Sequence, residues 1–207
     1  MNIFDIKAKG FDTDERIERA KFFADEIRLH IKDGASKTAM EYGCGTGLVG
    51  IRLFGDFKSV LFVDSSIGMI EQVKQKLIGI NKPAEFAICR DFLIDCPNDL
   101  NADYIFTALT LHHIKNTKAI LSHFFNVLNA GGHLLVIDIN TDDGGFHADS
   151  PFFDGHHGFS QDALAGLVSE IGFANVNAKT FYRGSKKANG TDKPYSVFIL
   201  DAAKRTE

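Results

Sequence analysis

The chain has 207 residues, 44% of them hydrophobic and 24% charged, with 19 Phe, 4 Tyr and no Trp. That balance excludes a disordered, collagen-like or low-complexity chain, and a length of this order fits one domain spanning 1–207. With 23 basic and 27 acidic residues the net charge is −4, which offers no bulk attraction to nucleic acid or to an acidic membrane.

In chain order, residues 13–33 carry Ile17, Ala20, Ala24, Ile27 and Ile31 at helical spacing, with Asp12 or Thr13 to cap the start and Gly34 just past the end. A strand over Lys37–Tyr42 runs into a glycine loop, and Leu48–Phe54 reads as a helix. Ser59–Val63 is strand-like, Ser66–Ile78 helical, Ala84–Ile88 and Tyr104–Ala108 strand-like. Thr117–Asn129 is a helix ended by Gly131-Gly132, and His133–Ile139 is a strongly apolar strand. After a helix over Ser160–Ile171, Val176–Tyr182 and Tyr195–Asp201 read as two strands joined by a polar loop. Such alternation means βαβ units in an α/β fold, with helices on both faces of a mostly parallel sheet. The last two strands, with no helix between them, pair antiparallel at one edge. Residues 140–159 lack periodicity, and a stretch of that length is expected to be a lid or substrate loop.

No apolar run approaches the roughly 20 residues of a membrane-spanning helix, and MNIFDIKAKGFDTDER has no apolar signal-peptide core. Cys44, Cys89 and Cys96 are odd in number and form neither C-x-x-C nor a zinc spacing. A cytoplasmic location with free thiols is the expectation. No histidine pair has the H-x-x-x-H spacing of one helical face, so no metal is expected.

The chemistry concentrates in Met40-Glu41-Tyr42-Gly43-Cys44-Gly45-Thr46-Gly47-Leu48-Val49-Gly50, between a strand and a helix. Glycines here let the backbone turn sharply and approach a ligand. Gly45 to Gly50 satisfy G-x-G-x-x-G, and Asp64 lies 19 residues beyond Gly45, where a ribose-binding acid would sit. That leaves a dinucleotide-binding oxidoreductase using NAD(P) as one reading. An ionised carboxylate only accepts hydrogen bonds, so Asp64 at a strand end suits two ribose hydroxyls.

Glu41-x-Gly43-Cys44-Gly45-Thr46-Gly47 resembles motif I of the class I S-adenosylmethionine (SAM)-dependent methyltransferases, close to the small-molecule type 11/12 enzymes. The resemblance covers nearly the whole chain. Phe62–Ile70 resembles that family's second strand and turn, Arg90-Asp91-Phe92 its acidic site after the third strand, and Tyr104–Ile114 its fourth-strand motif. Leu128-Asn129-Ala130-Gly131-Gly132 resembles the turn before the fifth strand, with Ala130 in place of the usual proline. The resemblance implies a Rossmann-like, doubly wound, seven-stranded sheet and SAM as cofactor, with S-adenosylhomocysteine as its product. It implies that Gly43, Cys44, Gly45 and Gly47 form the backbone surface, that Glu41 orients the ligand's amino-acid end, and that Ala108 and Leu109 complete the methionine site. Asp64 and the following Ser65 would then meet the ribose, Asp91 the adenine amino group, and Phe92 and Met69 the two faces of the ring. A SAM-binding module without catalysis is a further reading.

An acceptor would sit beyond the carboxyl ends of the strands. Thr110, His112 and His113 come after the fourth strand, and Asp138 and Asn140 after the fifth. Transfer to an activated methyl needs in-line positioning and exclusion of water, and a base only where the acceptor loses a proton. His113, then His147 and His157, are the candidate bases. The stretch Thr107-Ala108-Leu109-Thr110 lacks the D/N-P-P-Y of amino-directed nucleic-acid methyltransferases, and Cys96-Pro97 reverses the Pro-Cys of cytosine-C5 enzymes. The expected partner is a small-molecule acceptor, not nucleic acid or membrane, for a monomer or homodimer. Phe4, Phe11, Phe146, Phe152, Phe153 and Phe159 lie in the segments expected to cover the site, which predicts an aromatic pocket for an apolar or partly aromatic acceptor.

Overall fold

A computed structural model describes residues 3–95, 98–150, 153–188 and 190–206. Cys96, Pro97 and Phe152 lie outside the described residues. The helices are α1 (Ile3–Lys7), α2 (Asp14–Arg28), α3 (Gly50–Leu53), α4 (Ile67–Gly79), α5 (Thr117–Val127) and α6 (Gln161–Ile171). The strands are β1 (Thr38–Tyr42), β2 (Ser59–Asp64), β3 (Ala87–Cys89), β4 (Ala102–Ala108), β5 (Leu128–Ile139), β6 (Ala174–Ala188) and β7 (Thr191–Ala203).

The strands form one seven-stranded sheet in the order β3-β2-β1-β4-β5-β7-β6. Strands β1 to β5 are parallel, and β7 runs antiparallel between β5 and β6. The reversal of strand order at β1–β4 opens a crevice at their carboxyl ends, which is where a doubly wound sheet binds ligands. The central strands are apolar on both sides because helices cover both faces. One face packs α2 residues Phe23, Ala24 and Ile27 and α4 residues Ile70, Val73 and Leu77 against Phe62 and Phe106. The other packs α5 and α6, through Ile120, Phe124, Leu164 and Val168, against Ile105, Leu134 and Val136.

Side-chain caps set the helix starts. Thr13 Oγ1 accepts from the Arg16 N–H, Ser66 Oγ from Met69, Asn116 Oδ1 from Ala119 and Ser160 Oγ from Ala163.

Several boundaries move. The helix expected over 13–33 stops at Arg28, and its tail folds into turns. The helix expected over Leu48–Phe54 shrinks to Gly50–Leu53, because the loop is still turning through Val49. Ala84–Phe86 forms a single tight turn before a short β3. Strand β5 begins at Leu128, where a helical tail was expected, because Gly131 at φ 75 admits a bulge rather than ending a helix. The polar loop expected between the last two strands is itself strand: Lys186 pairs with Lys193 and Ala188 with Thr191. Its alternating exposure hid this, since an edge ribbon beyond the core carries little apolar pattern.

Candidate functional site

The loop after β1 turns on three left-handed glycines, Gly43 (φ 67), Gly45 (φ 52) and Gly47 (φ 77). Gly43 and Cys44 donate their N–H groups to Val63 O at the end of β2, which holds the loop across the sheet edge. Gly50 has no room for a side chain: a Cβ there would stand 2.3 Å from Glu41 Oε2 and 2.6 Å from Phe62 Cε1. Its N–H donates to Glu41 Oε2 at 3.0 Å. The last glycine of the G-x-G-x-x-G pattern therefore seats the buried Glu41 carboxyl.

Burial raises the Glu41 pKa to about 8, with the nearby Asp64 charge adding to it. The folded chain thus binds a proton that the unfolded chain releases near the ordinary value of 4.5, so the group lowers stability as pH rises between these values. Glu41→Gln is expected to flatten the pH dependence of unfolding between about 4.5 and about 8. Denaturant melts of the ligand-free chain at several pH values check this, and parallel curves for parent and variant would refute it.

Asp64 ends β2 and folds back. Its Oδ2 accepts from the Gly45 N–H and its Oδ1 from the Ser66 N–H, both at 2.8 Å. Burial raises its pKa against these bonds. Cys44 is 6% exposed, and burial with the Asp64 and Glu41 charges pushes its thiol well above the usual range, which leaves no thiolate for nucleophilic chemistry.

A cavity of about 430 Å³ opens at the carboxyl ends of β1, β2 and β4. Of the expected cofactor residues, Glu41, Gly43, Cys44, Gly45, Asp64, Ser65, Met69, Asp91, Ala108 and Leu109 all border it. Gly47 lies outside the lining and serves the turn into α3, its N–H donating to Cys44 O. Phe92 is displaced from its expected place. It is 1% exposed and packs at 4.7 Å on Tyr42 and against Phe124 in the core, and the adjacent Leu93 borders the cavity instead. Apolar packing took Phe92 because the turn after β3 points it inward.

Other wall residues carried no sequence motif. Arg16, Arg19 and Phe23 reach the cavity from one face of α2, where their i, i+3, i+7 spacing is the only available signal. The N-terminal segment closes the top. Asp5 Oδ1 accepts from the Ser66 hydroxyl at 2.6 Å and the Gly68 N–H at 3.0 Å, and Asp12 bonds Thr46 and Lys76. Gly68 permits that approach, since a Cβ there would stand 3.0 Å from the Asp5 backbone. Phe4 and Phe11 both border the cavity, and Phe4 meets His113 edge-on at 5.3 Å.

The three histidines expected as bases separate. His113, on the turn Leu111–His113 after β4, borders the cavity. Its apolar surroundings and the His112 and His147 rings lower its pKa to about 3. His147 lies behind it, on the turn Gly145–His147 and stacked on Phe153 at 3.6 Å. His157 is exposed beside Phe153 and Gly144, away from the cavity. The remaining phenylalanines of this region also turn aside. Phe146 packs on Tyr195 at 4.9 Å, and Phe159 packs against the α5–α6 core. Segment 140–159 docks on the turn after β4 through the His156 N–H, which donates to His112 O at 2.7 Å. A Cβ at Gly155 would stand 2.3 Å from that same oxygen.

Among the described residues, no helix is long and apolar enough to cross a membrane. A family model described as a methyltransferase domain matches residues 15–178. The chain is 25% identical, over 77% of its length, to an uncharacterized methyltransferase of Schizosaccharomyces pombe. It is 31% identical, over 67% of its length, to malonyl-[acyl-carrier protein] O-methyltransferase 2 of Ilyobacter polytropus. It spans 62% and 53% of the length of these two relatives. Its fold matches a phosphoethanolamine N-methyltransferase 2 of Haemonchus contortus, solved with phosphomonomethylethanolamine and S-adenosylhomocysteine. The TM-score is 0.66 at 14% identity, over 90% of this chain and 52% of that one.

Proposed function

We propose, from the premise that this chain belongs to the methyltransferase-domain family matched over residues 15–178, that it transfers a methyl group from SAM to a small-molecule acceptor. One observation carries the reading: a single cavity gathers the glycine loop, Asp64 and Asp91 at the strand ends. The residues fit the cofactor. At about 430 Å³ the cavity lies within the ~300–1,000 Å³ of small-ligand sites, and its acceptor-only carboxylates suit hydroxyl and amino donors. We read residues 1–207 as one domain.

SAM, when bound, supplies a methyl group already activated by its sulfonium. Gly43, Cys44 and Gly45 offer backbone for close approach. Asp64, with Ser65 beside it, would accept from the ribose hydroxyls and Asp91 from the adenine amino group. Met69 and Leu93 would flank the ring, Ala108 and Leu109 the methionine portion. The Glu41 carboxyl would orient the amino-acid end, and a cationic ligand would draw it towards its ionised form. Phe4, Phe11 and Phe23 supply apolar wall for the acceptor, and Arg16 and Arg19 on the same side suit an anionic group on it. We assign the acceleration to in-line positioning and exclusion of water. A histidine of such low basicity is a poor proton acceptor at neutral pH.

Calorimetry with SAM, S-adenosylhomocysteine and NAD tests the cofactor, and labelled-methyl transfer to a small-molecule fraction tests turnover. Asp64→Ala is expected to weaken S-adenosylhomocysteine binding by about 5–150-fold, the loss of charged hydrogen bonds of about 1–3 kcal/mol. Unchanged affinity would remove Asp64 from the site. Tight NAD binding without response to the other two would overturn the whole reading, and binding without turnover would leave a non-catalytic module.

A further inference from the structure

His112, His113 and His147 converge between the turn after β4 and the turn Gly145–His147. Each offers one ring nitrogen, and these lie within 4.8 Å of one another. The ring centroids are 4.2 Å (His112–His113), 5.0 Å (His112–His147) and 5.5 Å (His113–His147) apart.

The protonation pattern at His112 follows from chemistry. Its Nδ1 lies 2.6 Å from Asp138 Oδ1, and both residues are buried. A carboxylate only accepts, so Nδ1 carries a proton, and in the neutral ring Nε2 then holds a lone pair. Among the described residues that buried Nε2 has no hydrogen-bond partner, and the same is true of Nδ1 of His147, which is 9% exposed. Burying a polar atom unpaired costs on the order of 1–3 kcal/mol, so two in one cluster require a ligand or a reason. As placed, the two atoms share no proton, since neither has a hydrogen-bond partner among the described residues. A cation that accepts nitrogen lone pairs satisfies both and also engages His113.

We propose that His112 Nε2, His113 and His147 bind one divalent transition-metal ion. Imidazole suits zinc and other first-row divalent ions. A metal-bound histidine commonly donates its other N–H to a carboxylate, and Asp138 stands in that position for His112. At bond lengths of about 2.1 Å, tetrahedral ligands sit roughly 3.4 Å apart, so small side-chain rotations close the triad. Three protein ligands leave a fourth position open to water or to an oxygen or sulfur donor. His113 borders the cavity, which puts the ion at its wall. The spacing rule missed the triad because His147 comes from a separate segment that only the fold brings in. The proposal stands apart from methyl transfer, since it concerns binding of the metal alone.

The test uses the chelator-treated full chain, titrated with zinc against a chromophoric indicator, and in parallel with cobalt(II) followed by visible absorption. One ion per chain and the intense bands of four-coordinate cobalt are expected. His113→Ala alters a solvent-facing ring and should leave the fold intact by near-UV circular dichroism. It is expected to weaken zinc binding at least about 100-fold, the upper end of the loss seen when only a residue behind a ligand is removed. His147→Ala should do the same. His133→Ala, in the separate His30–Asp201–His133 cluster and stacked on Tyr104, should change nothing. Absence of stoichiometric zinc binding by the parent would overturn the proposal. So would binding that survives His113→Ala and His147→Ala, or binding that is lost with His133→Ala.

Discussion

Asp138→Ala is expected to destabilise the chain by about 3–5 kcal/mol, because it strips the acceptor from buried donors at about 1–3 kcal/mol each. Asp138 is fully buried on β5 and accepts from three donors: the His112 N–H at 3.1 Å, His112 Nδ1 at 2.6 Å and the Ile139 N–H at 2.7 Å. Alanine leaves all three without an acceptor where water does not reach. At roughly 2–4 °C per kcal/mol for a chain of this size, the melting temperature should fall by about 6–20 °C. The turn after β4 should loosen first, because Asp138 binds it through both the backbone and the ring of His112. Thermal and denaturant melts of the metal-free chain give the number, and a loss below about 1 kcal/mol would mean that those donors find other partners.

Gly43→Ala is expected to cost about 2–5 kcal/mol in stability, from about 1–2 of left-handed strain and about 1–3 of overpacking. Cofactor affinity should fall at least about tenfold, because the displaced loop no longer presents its backbone. Gly43 sits at φ 67, and a Cβ there would stand 2.1 Å from Thr110 Cγ2 and 2.5 Å from its Oγ1. Thr110 cannot retreat freely, since its hydroxyl donates to Gly43 O at 2.9 Å. Both strand ends that frame the cavity would have to part. Gly55→Ala is the control: no atom lies within 4 Å of its Cβ position, and its φ is not left-handed. Parent-like binding of S-adenosylhomocysteine by Gly43→Ala, measured by calorimetry, would show that the loop does not need glycine there.

Much of the architecture was legible because hydrophobic periodicity reports which face a segment buries. The helical stripe Ile17–Ile27, the apolar run of β5 and the alternation of strand and helix lead directly to a mostly parallel sheet with an antiparallel edge. The lengths of α2, α3 and the terminal hairpin were less legible. Helix ends and edge ribbons are decided by turns and pairings that bury little surface, so pattern weakens where they stop.

The candidate site divides in the same way. Contiguous features were readable. Glu41 to Gly47 form one turn, and the resemblance to the methyltransferases implied that Asp64, at the end of β2, and Asp91, just after β3, meet beside it. The sequence by itself determined the sheet, the crevice and the glycine loop, since each depends on residues within one segment or on the order of segments. Tertiary structure alone decided that Phe92 turns into the core while Leu93 faces the cavity. It also decided that α2 lends Arg16 and Arg19, and that His147 returns from a separate segment to meet His112 and His113. Those choices depend on which side chain wins a shared volume and on contacts between distant segments, and neither leaves a period or a spacing in the chain.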